Sequence, residues 1–218
     1  MTGMRSRHNT QIVKNKAVSS LEMKLLEKKE FIRRESYFFM KKAGKQVFNF
    51  IKNKFKKKQL IIVLSGPGNN GGDGFIVAKL LKNYGYKTEV YTLIDKKKYK
   101  GDSLRALHNY RDKTKRISSL RIKKKALIID ALFGIGLSRK IEGVLKKKFK
   151  QINKSNSKVI SIDIPSGISS DTGKILGCAI KADYTITFHK KKLGHTMNQG
   201  KEFSGKLKVV DIGFKKKC

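Results

Sequence analysis

Gln59-Leu60-Ile61-Ile62-Val63-Leu64-Ser65-Gly66-Pro67-Gly68-Asn69-Asn70-Gly71-Gly72-Asp73-Gly74-Phe75-Ile76-Val77-Ala78-Lys79-Leu80-Leu81 is the stretch that decides the fold. Its first six residues are an almost wholly apolar run of β-formers, the pattern of a strand buried on both faces. Five glycines follow within residues 66–74. A helical pattern then runs from Phe75 to Tyr84. The unit is strand, glycine loop, helix. Glycine lets the backbone approach a ligand closely. The helix start offers free N–H groups to a phosphate. The register is not that of the G-x-G-x-x-G fingerprint, and no G-K-[ST] follows as in a Walker A loop. A tight turn alone would not require the polar side chains of Asn69, Asn70 and Asp73.

Downstream, Lys87–Ile94, Ala126–Ile129 and Lys158–Ile162 are strand candidates. Ser103–Arg111 and Glu142–Ile152 are helix-sized stretches between them. Strands alternating with helices predict a parallel sheet with right-handed crossovers and helices on both faces. Asp183–Phe188 and Lys206–Ile212 complete the strands. No helix is evident between these two, which leaves a mixed sheet edge open. Upstream, Ser19 or Ser20 is placed to cap a helix starting near Leu21, with Glu22 in its first turn. Leu21, Leu25, Leu26 and Phe31 would form its apolar face. Phe39, Met40, Ala43, Val47, Phe48 and Ile51 mark a second helix over Phe38–Ile51. There is no internal repeat and no proline-rich linker. The expected organisation is a basic arm, 1–18, and one α/β domain, 19–218.

The 218 residues include 52 Lys and Arg against 16 Asp and Glu, a net charge of +36. The apolar runs are too dense for a disordered basic tail. No apolar stretch nears 18 residues, which argues against a membrane span. Cys178 and Cys218 can form neither a disulfide framework nor a cysteine zinc cluster, and no secretory signal is evident. A reducing compartment is expected: the cytoplasm, with the N-terminal arm leaving an organelle open. The charge is large enough to attract nucleic acid. However, lysine triplets starting at 56, 96, 123, 146, 190 and 215 are scattered between elements. Lys exceeds Arg, the residue that reads bases. The expectation is a solvated surface with no specific nucleic-acid partner. An RNA-associated protein would instead show steeply salt-dependent binding.

In such sheets ligands bind beyond the carboxyl ends of the strands. The third strand is followed by Asp130-Ala131-Leu132-Phe133-Gly134-Ile135-Gly136-Leu137-Ser138-Arg139. The fourth is followed by Asp163-Ile164-Pro165-Ser166-Gly167. A lone Asp at a strand tip is commonly a helix cap. Three neighbouring tips carrying Asn, Asp or Ser beside Gly point to one ligand site. Carboxylates, amide oxygens and turn carbonyls are hard oxygen donors. Without clustered His or Cys, zinc is disfavoured. A monovalent or alkaline-earth cation fits, and the residues do not choose between them.

Together the segments 63–73, 130–139 and 163–167 resemble the NAD(P)H-hydrate epimerases, the YjeF N-terminal domain family. Residues 179–188, 188–195 and 211–213 add to the likeness, which runs from about Ser19 to Phe214. The resemblance implies a Rossmann-like three-layer αβα fold and an isomerase that interconverts R and S hydrates of NADH and NADPH (NADHX and NADPHX). A separate ADP- or ATP-dependent dehydratase would consume the S form. This chain ends where a fused dehydratase would begin, so epimerisation alone is expected of it. The resemblance also implies one potassium ion per subunit, at the positions of Asn70, Asp130 and Ser166. Substrate would contact Asn69, Asn70, Gly71, Gly72 and Asp73; Gly134, Ile135, Gly136, Leu137, Ser138, Arg139 and Lys140; and Asp163. A homodimer through the N-terminal helices is a further expectation. Lys41 stands where the family commonly has an acid.

Inverting the hydrated carbon requires breaking and remaking a C–O bond, or opening the ring C–N bond. Either route gives a proton to a departing group and takes one back. Asp163 is the candidate general acid/base. The 134–139 loop, expected at a helix N-terminus, would take phosphate, with Arg139 pairing to it. Lys192 and His195 lie at family positions, where ligand contact and an ordinary solvated lysine both stay open. His189 is read as structural. The alternative is a non-catalytic nucleotide-binding or interaction protein on the same scaffold. The wholeness of all three strand-tip motifs speaks against it.

Overall fold

The computed structural model describes residues 16–123 and 125–215. Cys218 and residues 1–15 of the expected arm therefore lie outside the described residues. Helix α1 (Ser20–Arg33) starts at a capping box: Ser19 Oγ accepts from Glu22 N at 3.2 Å, and Ser19 N donates to the Glu22 carboxylate at 2.7 Å. Such reciprocal caps satisfy helix donors that otherwise lack partners. Helix α2 (Ser36–Lys54) buries Phe39, Met40, Ala43, Val47 and Ile51, the face its spacing specifies.

Among the described residues seven strands follow: β1 (Ile61–Ser65), β2 (Thr88–Thr92), β3 (Thr114–Arg116), β4 (Leu127–Ala131), β5 (Lys158–Ile162), β6 (Tyr184–Phe188) and β7 (Lys206–Val210). They form one sheet, ordered β3-β2-β1-β4-β5-β6-β7, parallel at every pairing. Between them lie α3 (Asn69–Asn83), α4 (Gly101–Tyr110), α5 (Gly143–Lys154) and the short α6 (Asn198–Phe203). Successive strand residues point to opposite faces. Thus Ile61 and Val63 join the core with α2, α3 and α4, whereas Ile62 and Leu64 join Phe149 and Ile152 of α5. Strand order reverses between β1 and β4, which opens a crevice above their carboxyl ends.

The structure departs from the expected elements in several places. Helix α3 begins at Asn69 rather than Phe75, so the Asn-Asn-Gly-Gly-Asp segment forms its first turns. Tertiary packing overrides the poor helix propensity of Asn and Gly there. A methyl on Gly71 would meet the Gly66 carbonyl oxygen at 1.8 Å, and one on Gly66 the Leu132 carbonyl at the same distance. Gly71→Ala should therefore destabilise the fold by about 1–3 kcal/mol through overpacking, read from urea unfolding midpoints. The mixed edge does not occur, because α6 returns the chain for β7 to pair parallel. Helix α5 begins only at Gly143, so residues 134–139 precede a helix rather than open one. On α1, Leu21 and Leu25 face solvent (66% and 53% exposed), while Met23 and Glu30 are buried. The apolar spacing of α1 is irregular, so it does not specify which face is buried.

Within the expected arm, Val18 is buried and forms a parallel bridge with Lys192. Val18 N donates to Lys191 O, and Leu193 N to Val18 O, both at 2.9 Å. Ser20 adds two bonds to the Asp171 carboxylate, from N at 2.5 Å and from Oγ at 2.6 Å. Among the described residues, no helix is long and apolar enough to cross a membrane.

Candidate active site

A cavity of about 500 Å³ opens at the β1/β4 crevice. The β1–α3 turn contributes Pro67, Gly68, Asn69, Asn70 and Asp73. Because α3 starts here, its first N–H groups, which lack helical partners, lie along this wall. The loop after β4 contributes Leu132 through Arg139, and the tip of β5 contributes Asp163. Lys192 enters from beyond β6; Met23, Lys24, Glu27 and Phe31 come from α1; Ser36, Phe39, Met40 and Ala43 come from α2.

The three motifs therefore meet at one cavity. A methyl on Gly134 would sit 3.3 Å from Asp163 Oδ2 and 3.5 Å from Asn70 Cγ. Other expected residues stand back from it. Gly71 and Gly72 are packed inside α3, a methyl on Gly72 meeting Met40 at 2.5 Å. Lys140 is exposed beyond the rim. Asp130 and Ser166 lie beneath the lining, Asp130 fully buried. One Asp130 oxygen accepts from Ser166 Oγ at 2.5 Å and Leu132 N at 3.3 Å. The other accepts from Ser166 N at 2.8 Å and Ser161 Oγ at 2.9 Å. This lattice joins the tips of β4 and β5. Burial pushes the Asp130 carboxyl up, against the pull of these hydrogen bonds. Beside this lattice the Asn70 amide is unsatisfied: its Oδ1 and Nδ2 are buried with no hydrogen-bond partner among the described residues. Buried polar groups normally find one.

Asp163 adopts the left-handed region, φ 67°, which is uncommon for a residue other than glycine. Its side chain pairs with Lys192, itself only 1% exposed. The Lys192 ammonium also donates to Thr187 Oγ1 at 2.9 Å and to the Phe188 carbonyl at 3.3 Å, and Thr187 donates to Asp163 at 3.0 Å. Lys192 is thus a buried partner of Asp163 rather than a solvated lysine. His195 is locked behind them. Its Nδ1 accepts from Lys192 N at 3.0 Å, which leaves Nε2–H to donate to the Asp163 carbonyl at 2.8 Å.

These contacts set the charges. Burial pushes the Asp163 carboxyl up, but Lys192, with help from His195 and Thr187, holds it below the usual carboxylate range. Asp73 is raised well above that range by burial, then by the Asp163 and Glu27 charges. Glu27 is raised to about 7 by burial and then by Asp163, against Lys192 and Lys24. Among these three, the cavity therefore sets one ionised carboxylate beside two that retain protons near neutrality. Such a split supplies a proton acceptor and a proton donor together.

His195 is pushed down to about 4 by burial and by Lys192. A base whose folded pKa is depressed contributes stability above its unfolded pKa, 6.5, and loses it as pH falls toward the folded value. Between pH 6.5 and 4 this loss should reach about 3 kcal/mol. It is measured as the difference in denaturant stability between the unaltered protein and His195→Gln, which has no titrating imidazole.

Glu27 went unassigned in the sequence because its charged neighbours on α1 resemble a solvated face. Only docking of α1 brings it to the cavity. Lys41 does not line the cavity; it is exposed, its ammonium over the Tyr37 ring at 5.6 Å. His189 packs against Phe214, the rings tilted by 47° with centroids 5.0 Å apart.

The family model described as YjeF-related protein N-terminus matches residues 36–194. An NAD(P)H-hydrate epimerase of Lentilactobacillus buchneri is 38% identical over 181 residues, covering 82% of this chain and 84% of that one. The bifunctional NAD(P)H-hydrate repair enzyme Nnr of Dictyoglomus turgidum is 38% identical over 211 residues, 91% of this chain but 40% of the larger protein. The crystal structure of yeast ynu0 superposes with a TM-score of 0.70 at 22% identity, covering 90% of this chain and 87% of that one, which supports the fold. With its α/β architecture, its strand-tip cavity and these matches, the chain belongs to the YjeF-related protein N-terminus family.

Proposed function

We propose that this protein is an NAD(P)H-hydrate epimerase, interconverting the R and S hydrates of NADH and NADPH. The observation that carries the reading is the shared cavity of Asn69, Asn70, Asp73, Gly134–Arg139 and Asp163, taken with epimerase relatives matched over most of their length. The open N-terminus of α3 suits a phosphate of the dinucleotide. Arg139 at the rim can pair with another. The apolar side chains of α1 and α2 give the damaged ring a dry wall. Asp163, ionised beside Lys192, is the group that exchanges a proton with the hydrated carbon's oxygen. The bifunctional relatives support coupling to an S-specific dehydratase. We place the protein with its substrate in the cytoplasm, and we assign the apolar stripe of Leu21, Leu25 and Ile32 on α1 to a homodimer contact.

A potassium ion fits the oxygen donors beneath the cavity. Asn70 Oδ1 is a buried acceptor without a partner among the described residues. Ser166 Oγ donates to Asp130 and accepts from Phe133 N at 3.0 Å, which leaves one lone pair free. Asp130 supplies the opposite charge. When bound, the ion would orient these groups and the glycine loops; its weak Lewis acidity adds little. Potassium should raise the Tm of the protein relative to choline, and Asn70→Ala should abolish that rise.

The activity is tested by chiral separation of R and S hydrates over time, with potassium present. Interconversion faster than in protein-free buffer is expected, and equality with the spontaneous rate sinks the proposal.

A further inference from the structure

Inversion at a carbon exchanges the two faces of the ring. If the oxygen leaves from one face and water returns to the other, protons must be handled on both. Asp163 and Lys192 come from the sheet side of the cavity. Glu27 comes from α1, a different wall of the same cavity. It lies close enough to feel the Asp163 and Lys192 charges, and no hydrogen-bond partner occupies its carboxyl among the described residues. Beside it stands Asp73, only 8% exposed, likewise without a hydrogen-bond partner and aimed at the cavity. A second wall bearing an unpartnered carboxyl group, with another close by on α3, matches what the second face of the ring would need.

We infer that Glu27 is the second catalytic proton carrier, acting on the ring face opposite to Asp163. This rests on the epimerase reading and extends it. In one direction the carbinol oxygen takes the Glu27 proton and leaves as water while its C–O bond breaks. The ring nitrogen lone pair becomes the second C–N bond of a cyclic iminium. On the other face a water molecule forms the new C–O bond and gives a proton to the Asp163 carboxylate, and the C–N π electrons return to nitrogen. Water is lost and regained, and one proton passes from Glu27 to Asp163. The reverse inversion, or exchange with solvent, restores the starting state. Asp73, kept neutral by burial, lines the same cavity.

The groups around Glu27 set its pH behaviour. Lys24 faces it from its own helix, Asp73 from α3, Asp163 from β5 and Lys192 from beyond β6, with Asp102 of α4 and Arg139 also on the cavity. The active form carries one proton shared between Glu27 and Asp163. Activity should therefore fall on the alkaline side with a midpoint near 7, where Glu27 loses its proton.

The test measures R/S interconversion from pH 5.5 to 9 for the unaltered protein, Glu27→Gln, Glu27→Asp and Asp73→Asn, with thermal melts and NADPH binding as folding controls. Glu27→Gln should lose about 100-fold or more in kcat with little change in KM and no alkaline limb. Glu27→Asp should recover part of the rate together with the limb. In ¹⁸O-water every inversion should place label on the carbinol. If Glu27→Gln keeps the unaltered rate and pH profile, or if Asp73→Asn alone removes the alkaline limb, the role of Glu27 is overturned while the epimerase reading stands. Retention of the original oxygen through inversion also overturns it. An unaltered protein with no acceleration brings down both.

Discussion

Asp163→Asn should reduce R/S interconversion by about 10²- to 10⁴-fold, the usual contribution of a positioned acid or base, while the dinucleotide still binds. The substitution keeps the shape of the side chain and an oxygen that can accept from Lys192 and Thr187. It removes the negative charge that makes Asp163 a proton acceptor. The cavity should absorb this loss electrostatically. Asp163 is one of the charges that raise Glu27 and Asp73; without it both carboxyls titrate lower, and one can ionise to balance Lys192. Folding is therefore largely retained, and the defect falls on turnover. Chiral separation of the hydrates at fixed potassium measures it, and a rate within about threefold of the unaltered protein would remove Asp163 from the reaction.

Lys192→Met should have the largest effect on stability. The Lys192 ammonium has three donors and three acceptors in place: Asp163, Thr187 and the Phe188 carbonyl. Methionine approximates its volume but strands the Asp163 carboxylate in a buried setting near two other carboxyls. Breaking a buried pair by removing one partner costs about 3–5 kcal/mol. The rest of the signature is in pH. Asp163 is held below the usual carboxylate range, so it stabilises the fold above its unfolded pKa and loses that contribution as pH falls through the lowered folded value. Without Lys192 burial dominates and raises the Asp163 pKa, so stability should improve on acidification across the carboxylate range instead. Urea unfolding from pH 4 to 8 measures both effects. Adding Asp163→Asn should restore part of the loss, because contacting residues are not additive. Equal stability of Lys192→Met and the unaltered protein would show that the pair contributes nothing net.

Much of the fold can be read from short apolar runs. Strands β1, β4 and β5 are largely buried on both faces, so their residues are predominantly apolar and conspicuous. Strand β3 was missed because Thr114-Lys115-Arg116 at the sheet edge carries no apolar pattern. Helix α6 was missed because six residues with Gly and Asn display no helical period. The start of α3 was misplaced for a different reason: its Asn and Gly residues are there to leave space and N–H groups, against their own propensity. At the site, the strand-tip residues announced themselves by company, with polar side chains beside glycine at three consecutive tips. Lys192 did not, since one lysine among so many carries no signal until its burial is seen. Glu27 required the packing of a whole helix to acquire a role.

The two backbone hydrogen bonds at Val18 fasten the lead-in to α1 onto the segment that holds Lys192. The wall bearing Glu27 and the lysine beneath Asp163 are thereby braced to each other by main chain, independent of any side chain a mutation might change. An affinity tag joined just ahead of Ser19, or a trimming that takes Val18 away, would consequently slacken both ends of the proton path at once. Tags for crystallisation or labelling are best attached elsewhere.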